Sequence, residues 1–296
     1  MNLTRLLSIS YGSYLLLLPF LLDHSEGVMG RQAYPVFLTL AFLALLSIVG
    51  VILHFRRQMT FHVRATDLFV GCYLLYGLIR ILLSGIPTDP LLFYKWGALL
   101  LGYILIRTLP NPRPILVFLM FSGVAQAFVT FLQVAGLAES NHRLFDVTGS
   151  FGNPGQLGGF LAVSFVVACG LVRYYISRQK TIAVLSAVSV CLIGTALLMT
   201  DSRAGWFAAC LSAGYLLFQT TETIRHDSSF RKSLWLAGSI TVCILLAVFL
   251  YRYRPDSADG RLLIWRISGD MIADKPLFGH APGSFSEKYM FYQEDY

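Results

Sequence analysis

Nine separate stretches of this chain are each apolar enough, and close enough to the length required, to cross a lipid bilayer as a helix, which takes about 20 mainly apolar residues. They run near residues 7–22, 34–54, 67–84, 91–108, 114–136, 157–176, 181–199, 204–219 and 234–251. The first resembles a signal peptide, with Arg5 ahead of a Leu-rich run. It lacks a small-x-small cleavage site, and Asp23-His24-Ser25-Glu26 follows, so the reading is a signal anchor. Composition agrees with the span count. Hydrophobic residues make up 56% and charged residues 13%, about half the ~25% usual in soluble domains. A soluble globular enzyme, a disordered chain and a small disulfide scaffold are excluded. The fold class is an all-α polytopic membrane helix bundle of about nine transmembrane helices, residues 1–251, followed by a polar tail, residues 252–296.

Charge orients the bundle. With the N-terminus cytoplasmic, the inner segments hold twelve of the 23 Lys and Arg residues: Arg5, Arg56, Arg57, Arg64, Arg107, Arg113, Arg173, Arg178, Lys180, Arg225, Arg231 and Lys232. The short outer loops hold only Arg31, Arg143 and Arg203. This is the lysine and arginine asymmetry that sets membrane topology, and it makes 252–296 an extracytoplasmic tail. The net charge of +7 is therefore a topology signal before it is a nucleic-acid signal, and no nucleic-acid partner is expected. The five cysteines all fall in apolar runs without CxxC spacing, which suits core packing better than metal or redox chemistry.

Some cations break the topology rule. Arg80 and Lys95 fall within spans, about one turn from their outer ends. Charges there either snorkel to the interface or face a wet cavity, and the sequence leaves both open. With Arg203 and the tail residues Arg252, Arg254, Arg261, Arg266, Lys275 and Lys288, they gather positive charge on the disfavoured side. An anionic ligand handled at the outer leaflet would explain the excess, because guanidinium offers paired donors to phosphate at any physiological pH.

Three outer segments look specialised. The first is Gly149-Ser150-Phe151-Gly152-Asn153-Pro154-Gly155-Gln156-Leu157-Gly158-Gly159-Phe160. It permits either a re-entrant backbone or an ordinary Gly/Pro loop capped by Asn153. The second is Thr200-Asp201-Ser202-Arg203-Ala204-Gly205-Trp206, where Asp201 or Ser202 caps the eighth helix. Arg203 then stands in the first turn, a poor place for a cation unless a phosphate or the Asp201 carboxylate offsets it. The third is Asp259-Gly260-Arg261-Leu262-Leu263-Ile264-Trp265-Arg266, running on to Lys275-Pro276-Leu277-Phe278-Gly279-His280-Ala281-Pro282-Gly283. Between Gly260 and Pro276 it reads as a short amphipathic helix with Arg261 and Trp265 on one face.

From about residue 120 to 290 the order and spacing of these motifs resembles the O-antigen ligase family, whose superfamily includes O-antigen polymerases and protein O-oligosaccharyltransferases. The resemblance rests on the stretch around Asn153, the Ser202-Arg203 turn, the Gly260-Arg261…Trp265 pair and the Pro276-Leu277-Phe278-Gly279 turn. It implies transfer of a glycan from undecaprenyl pyrophosphate to a lipid A-core, glycan or protein acceptor. That reaction takes place at the outer face of the bacterial inner membrane, without a metal or other cofactor. The family arginines that engage pyrophosphate match Arg203 and Arg261, the expected catalytic residues. Asn153, Arg80, Lys95, Ser202, Trp265 and Arg266 are the expected substrate-binding set.

The sequence departs from the family pattern at Ala281, where a second glycine is usual, and at His280, where an apolar residue is usual. The family's base is a histidine in the second half of a long periplasmic loop, of which 252–296 resembles the first part. A fragment or truncated product is therefore expected, with His280 either a substitute base or a plain turn histidine. The competing reading is a non-catalytic binder or carrier of lipid-linked glycan, or an inactive truncated homologue.

Overall fold

The structure is a computed structural model that describes residues 3–21, 29–56, 63–84, 90–109, 111–224, 248, 252, 255–280, 282–294 and 296. Among these residues there is no strand, only an isolated bridge between His142 and Phe145. The helices are α1 (Leu3–Leu21), α2 (Met29–Arg56), α3 (Ala65–Ser84), α4 (Pro90–Thr108), α5 (Arg113–Val134), α6 (Pro154–Tyr175), α7 (Lys180–Met199) and α8 (Arg203–Ile224). After them come α9 (Pro255–Asp274) and α10 (Phe285–Gln293).

Eight of the expected spans thus coincide with helices, and the ninth, 234–251, lies outside the described residues apart from Val248. Four helical stretches are long and apolar enough to cross a membrane: Ala65–Leu83, Arg113–Val134, Pro154–Tyr175 and Lys180–Met199. Arg5–Leu21 and Thr39–Leu53 are apolar but shorter. The amphipathic helix begins earlier than its sequence pattern suggests, at Pro255 rather than Gly260. Proline's missing N–H costs nothing in a first helical turn, where that donor has no intrahelical partner.

The chain divides into two units, the first comprising Met1–Pro35 with Leu109–Leu250. In it α6 packs on α5, α7 and α8, and α1 lies along α5. Its core joins Met120 and Ala127 of α5, Leu157, Leu161, Ala168 and Leu171 of α6, and Ile193, Ala196 and Leu197 of α7. Small residues set the spacing. A methyl group at Gly123 would stand 2.4 Å from Ser164 Cβ. One at Gly158 would stand 2.2 Å from Ser202 Cβ, and one at Gly205 2.8 Å from the Gly158 carbonyl oxygen. Lipid supplies little hydrophobic drive between spans, so close backbone approach through small residues is how such helices gain packing energy.

The second unit comprises Val36–Thr108 with Tyr251–Tyr296. Near the start of α3, Asp67 accepts hydrogen bonds from Arg107 Nε and Nη2 of α4, both at 2.7 Å, and from the Tyr103 hydroxyl. The fork of a guanidinium matches a carboxylate in just this two-point manner, and the phenol satisfies a further lone pair. Toward the other end of α3, Gly77 faces Trp96 of α4, leaving no room for a side chain. Ser47 of α2 donates to the Leu101 carbonyl at 2.9 Å.

The crossing of α6 and α8 is testable with a single methyl group. Gly158→Ala collides with Ser202, whereas Gly159→Ala enters open space. Overpacking of this kind costs about 1–3 kcal/mol. Thermal unfolding in detergent should therefore show a lower midpoint for Gly158→Ala and an unchanged or higher one for Gly159→Ala. Equal midpoints would contradict the close crossing.

Candidate functional site

The first specialised segment is held by two buried amides that its own motif does not contain. Gln126 and Gln133, seven residues apart on α5, are 0% and 6% exposed. Gln133 Oε1 accepts from the backbone N–H groups of Thr148 (3.0 Å) and Gly149 (2.8 Å), and its Nε2 donates to the carbonyls of Glu139 and Gly149, both at 3.0 Å. Both donors and both lone pairs of that amide are therefore occupied. Gln126 Oε1 accepts from Ser150 N–H (3.1 Å) and its Nε2 donates to Ser150 Oγ (2.8 Å), which in turn donates to the Pro19 carbonyl of α1 (2.7 Å). Gly149, at φ +59°, takes the left-handed conformation, and a Cβ there would strike Gln126 and Leu157.

The loop so held delivers the chain to α6. Asn153 is extended, and its side chain accepts from Gly155 N–H at 2.6 Å, with Pro154 opening the helix. Asn153 is thus a helix cap that also stands exposed. Sequence reasoning overlooked the two glutamines. The available signal was a pair of amides on one face of an apolar span, since polar groups at that depth mark something that must be satisfied.

The second segment is a tight turn into α8. Thr200 Oγ1 donates to the Leu197 carbonyl at 2.7 Å and accepts from Ser202 N–H at 3.2 Å. Asp201 takes φ +53°, a left-handed conformation that Asp tolerates better than most residues. The cap of α8 falls to Ser202, whose Oγ lies 3.4 Å from Gly205 N. Arg203 follows, half-buried, as the first residue of the helix. The Trp206 indole N–H donates to Leu197 at 2.7 Å, and its ring packs on the core. Because Gly158 and Gly205 meet within the opening turns of α6 and α8, the N-termini of both helices stand at one end of this unit. Each carries about half a positive charge. With Arg203 they bring positive charge to one corner, which also holds the Asp201 carboxylate.

The remaining expected residues lie in the second unit. Arg261, Trp265 and Arg266 are exposed on α9, Trp265 at 69%. Arg266 lies over the Tyr296 ring, 5.0 Å from its centre. The Tyr296 hydroxyl donates to Asp270, and that of Tyr292 to Asp274 at 2.8 Å. Both phenols are raised above their usual range, in the first place because each donates to a carboxylate. These bonds fold α10 back along α9. His280 Nε2 lies 3.2 Å from the Met271 carbonyl in the last turn of α9, which also accepts from Lys275 N–H at 3.4 Å. Arg80 Nη2 donates to the Gly279 carbonyl at 3.0 Å, one turn from Tyr76, whose hydroxyl donates to the Phe278 carbonyl at 2.9 Å. The Arg80 Nε is shut off from solvent and has no hydrogen-bond partner among the described residues. Lys95 is exposed on α4.

The structure therefore joins Asn153, Ser202 and Arg203 in one unit. Arg80, Lys95, Arg261, Trp265, Arg266 and His280 belong to the other. Residues 187–296 match a protein family described as O-antigen ligase. The match takes in Ser202, Arg203, Arg261, Trp265, Arg266 and His280, and lies downstream of Asn153, Arg80 and Lys95. No curated protein matches the chain, and no solved structure does.

Gln133→Leu tests the loop clamp. It leaves two N–H groups and two carbonyls of the loop without the partners they have now, at about 1–3 kcal/mol for each that water cannot reach. Hydrogen exchange at the Thr148 and Gly149 amides should accelerate by well over tenfold, while amides in the middle of α6 stay protected. Unchanged exchange at those two amides would show that the loop is held by something else.

Proposed function

Because residues 187–296 match a family described as O-antigen ligase, we propose that this multi-pass membrane protein is a glycan transferase. The donor is an oligo- or polysaccharide on undecaprenyl pyrophosphate. The acceptor is a hydroxyl of a lipid A-core, a glycan or a protein. The reaction takes place at the outer face of the bacterial inner membrane, with the N-terminus of the chain cytoplasmic and the region from 252 onward in the periplasm.

The observation that carries this reading is the cationic corner where α6 and α8 begin. In the reaction the acceptor oxygen attacks the anomeric carbon, and the bond from that carbon to the pyrophosphate oxygen breaks. The electron pair leaves with the pyrophosphate, so negative charge grows on the leaving group. Arg203 at the start of α8 would supply a guanidinium to that charge, aided by the positive ends of the two helix dipoles. Arg261, in the other unit, is the second arginine that the family resemblance assigns to pyrophosphate, in a reaction that needs no metal. Ser202 and Asn153 keep the two helix starts in place as caps. Arg266 and Lys95 are substrate-binding cations of that unit in this reading, and Trp265, exposed on α9, offers an aromatic face to a sugar.

The acceptor's proton requires a base, and His280 is the candidate within this sequence. Its Nε2 already lies against the Met271 carbonyl. That contact favours the second reading, in which the chain binds or carries a lipid-linked glycan without transferring it.

Alanine replacement separates the outcomes. Arg203→Ala and Arg261→Ala should each reduce glycan transfer by about a hundredfold or more, the usual cost of losing one donor to a developing anion. Membrane insertion and expression should be unchanged. Undiminished transfer in both variants, measured as glycan-modified acceptor on a gel, would sink the assignment.

A further inference from the structure

The Pro276–Gly279 turn is bonded to the side of a membrane-crossing helix rather than to its tip. The crossing stretch Ala65–Leu83 is 19 residues long, which at about 1.5 Å per residue only just spans the ~30 Å hydrocarbon core. Its C-terminal end therefore lies at the core boundary. Arg80 stands three residues, about 4–5 Å, inside that boundary, and Tyr76 seven residues, about 10 Å. Both side chains reach the turn, Tyr76 at the Phe278 carbonyl (2.9 Å) and Arg80 at the Gly279 carbonyl (3.0 Å). A turn held by these two side chains lies near the level of the core boundary.

Its chemistry suits that position. Leu277 is 82% exposed and Phe278 63%, two large apolar side chains that nothing in the unit covers. The helix α3 also exposes Tyr73, Leu82 and Leu83. Non-helical backbone is excluded from the lipid-exposed core but can lie at its boundary with its polar groups paired. Here the carbonyls of Phe278 and Gly279 are paired with α3, and the Gly279 N–H donates to the Lys275 carbonyl at 2.9 Å. Gly279 itself, at φ +58°, permits the reversal. Lys275, exposed just before the turn, is a cation of the kind that settles among lipid phosphates.

We infer that the turn between α9 and α10 is a membrane anchor, dipping Leu277 and Phe278 into the lipid leaflet beside the C-terminal end of α3. The partner is the acyl region of the bilayer. Arg80 and Tyr76 set the depth, and Arg80 in this account is a positioning residue rather than a ligand for substrate. The proposal depends on α3 crossing the membrane and not on any catalytic role for the protein.

Photocrosslinking in lipid nanodiscs tests it. A benzophenone amino acid at Phe278, and separately at Leu277, should give phospholipid adducts by mass spectrometry, in yields comparable to the same group placed at Leu82 on the exposed face of α3. Combining the probe at Phe278 with Arg80→Leu and Tyr76→Phe should lower its lipid adduct severalfold while leaving the Leu82 adduct intact. The Leu82 probe reports that each variant is folded and inserted. A strong lipid adduct at Leu82 with none at 277 or 278 overturns the anchor. Adducts at 278 that ignore the loss of Arg80 and Tyr76 overturn the depth-setting role.

Discussion

Where α6 crosses α8, the two backbones meet with nothing between them: a Cβ on Gly205 would lie 2.8 Å from the Gly158 carbonyl, and one on Gly158 would strike Ser202. Much of the first unit follows from that contact. It places the crossing within the opening turns of both helices, so the loop from Gly149 to Asn153 and the turn from Thr200 to Arg203 end at one place. Larger side chains would part the helices and separate the two helix starts. The contact therefore turns two ordinary helix starts into one region of positive potential, and Arg203 adds a full charge to it.

Such an arrangement holds only if the polar backbone leading into it is satisfied inside an apolar bundle. Gln126 and Gln133 do this for the first loop, and Thr200 and Ser202 for the second. The second unit follows the same rule with different groups. Asp67, Arg107 and Tyr103 pair near one end of α3, and Tyr76 and Arg80 take up turn carbonyls toward the other. In each case a polar side chain on an apolar helix exists to answer a particular backbone group or charge.

How far the sequence discloses this depends on whether the relevant partner is local. Helices α1 to α8 are legible because apolar runs of bilayer length leave few alternatives, and the α6 cap is legible because Asn-Pro acts within two residues. The choice between Asp201 and Ser202 as cap is not, since it turns on Asp201 adopting a left-handed backbone. Arg80 posed a choice between snorkelling and a wet cavity. The structure gives it a backbone carbonyl 199 residues away, which no local pattern announces. Gln126 and Gln133 are illegible for the same reason, because their partners lie in a loop beyond the end of their own helix. The start of α9 at Pro255 precedes its amphipathic pattern, because a first turn needs no buried face.

The central claim is that the start of α8, beside that of α6, holds a pyrophosphate. It is tested most directly by lipid binding to the purified protein in detergent, comparing undecaprenyl pyrophosphate with the uncharged alcohol undecaprenol. The account predicts that Arg203→Ala weakens binding of the pyrophosphate lipid by about tenfold to a hundredfold, the range for losing charge-assisted hydrogen bonds. Binding of the alcohol should stay unchanged, and inorganic pyrophosphate should compete only with the wild-type protein. Equal affinity of both proteins for the pyrophosphate lipid would contradict the account.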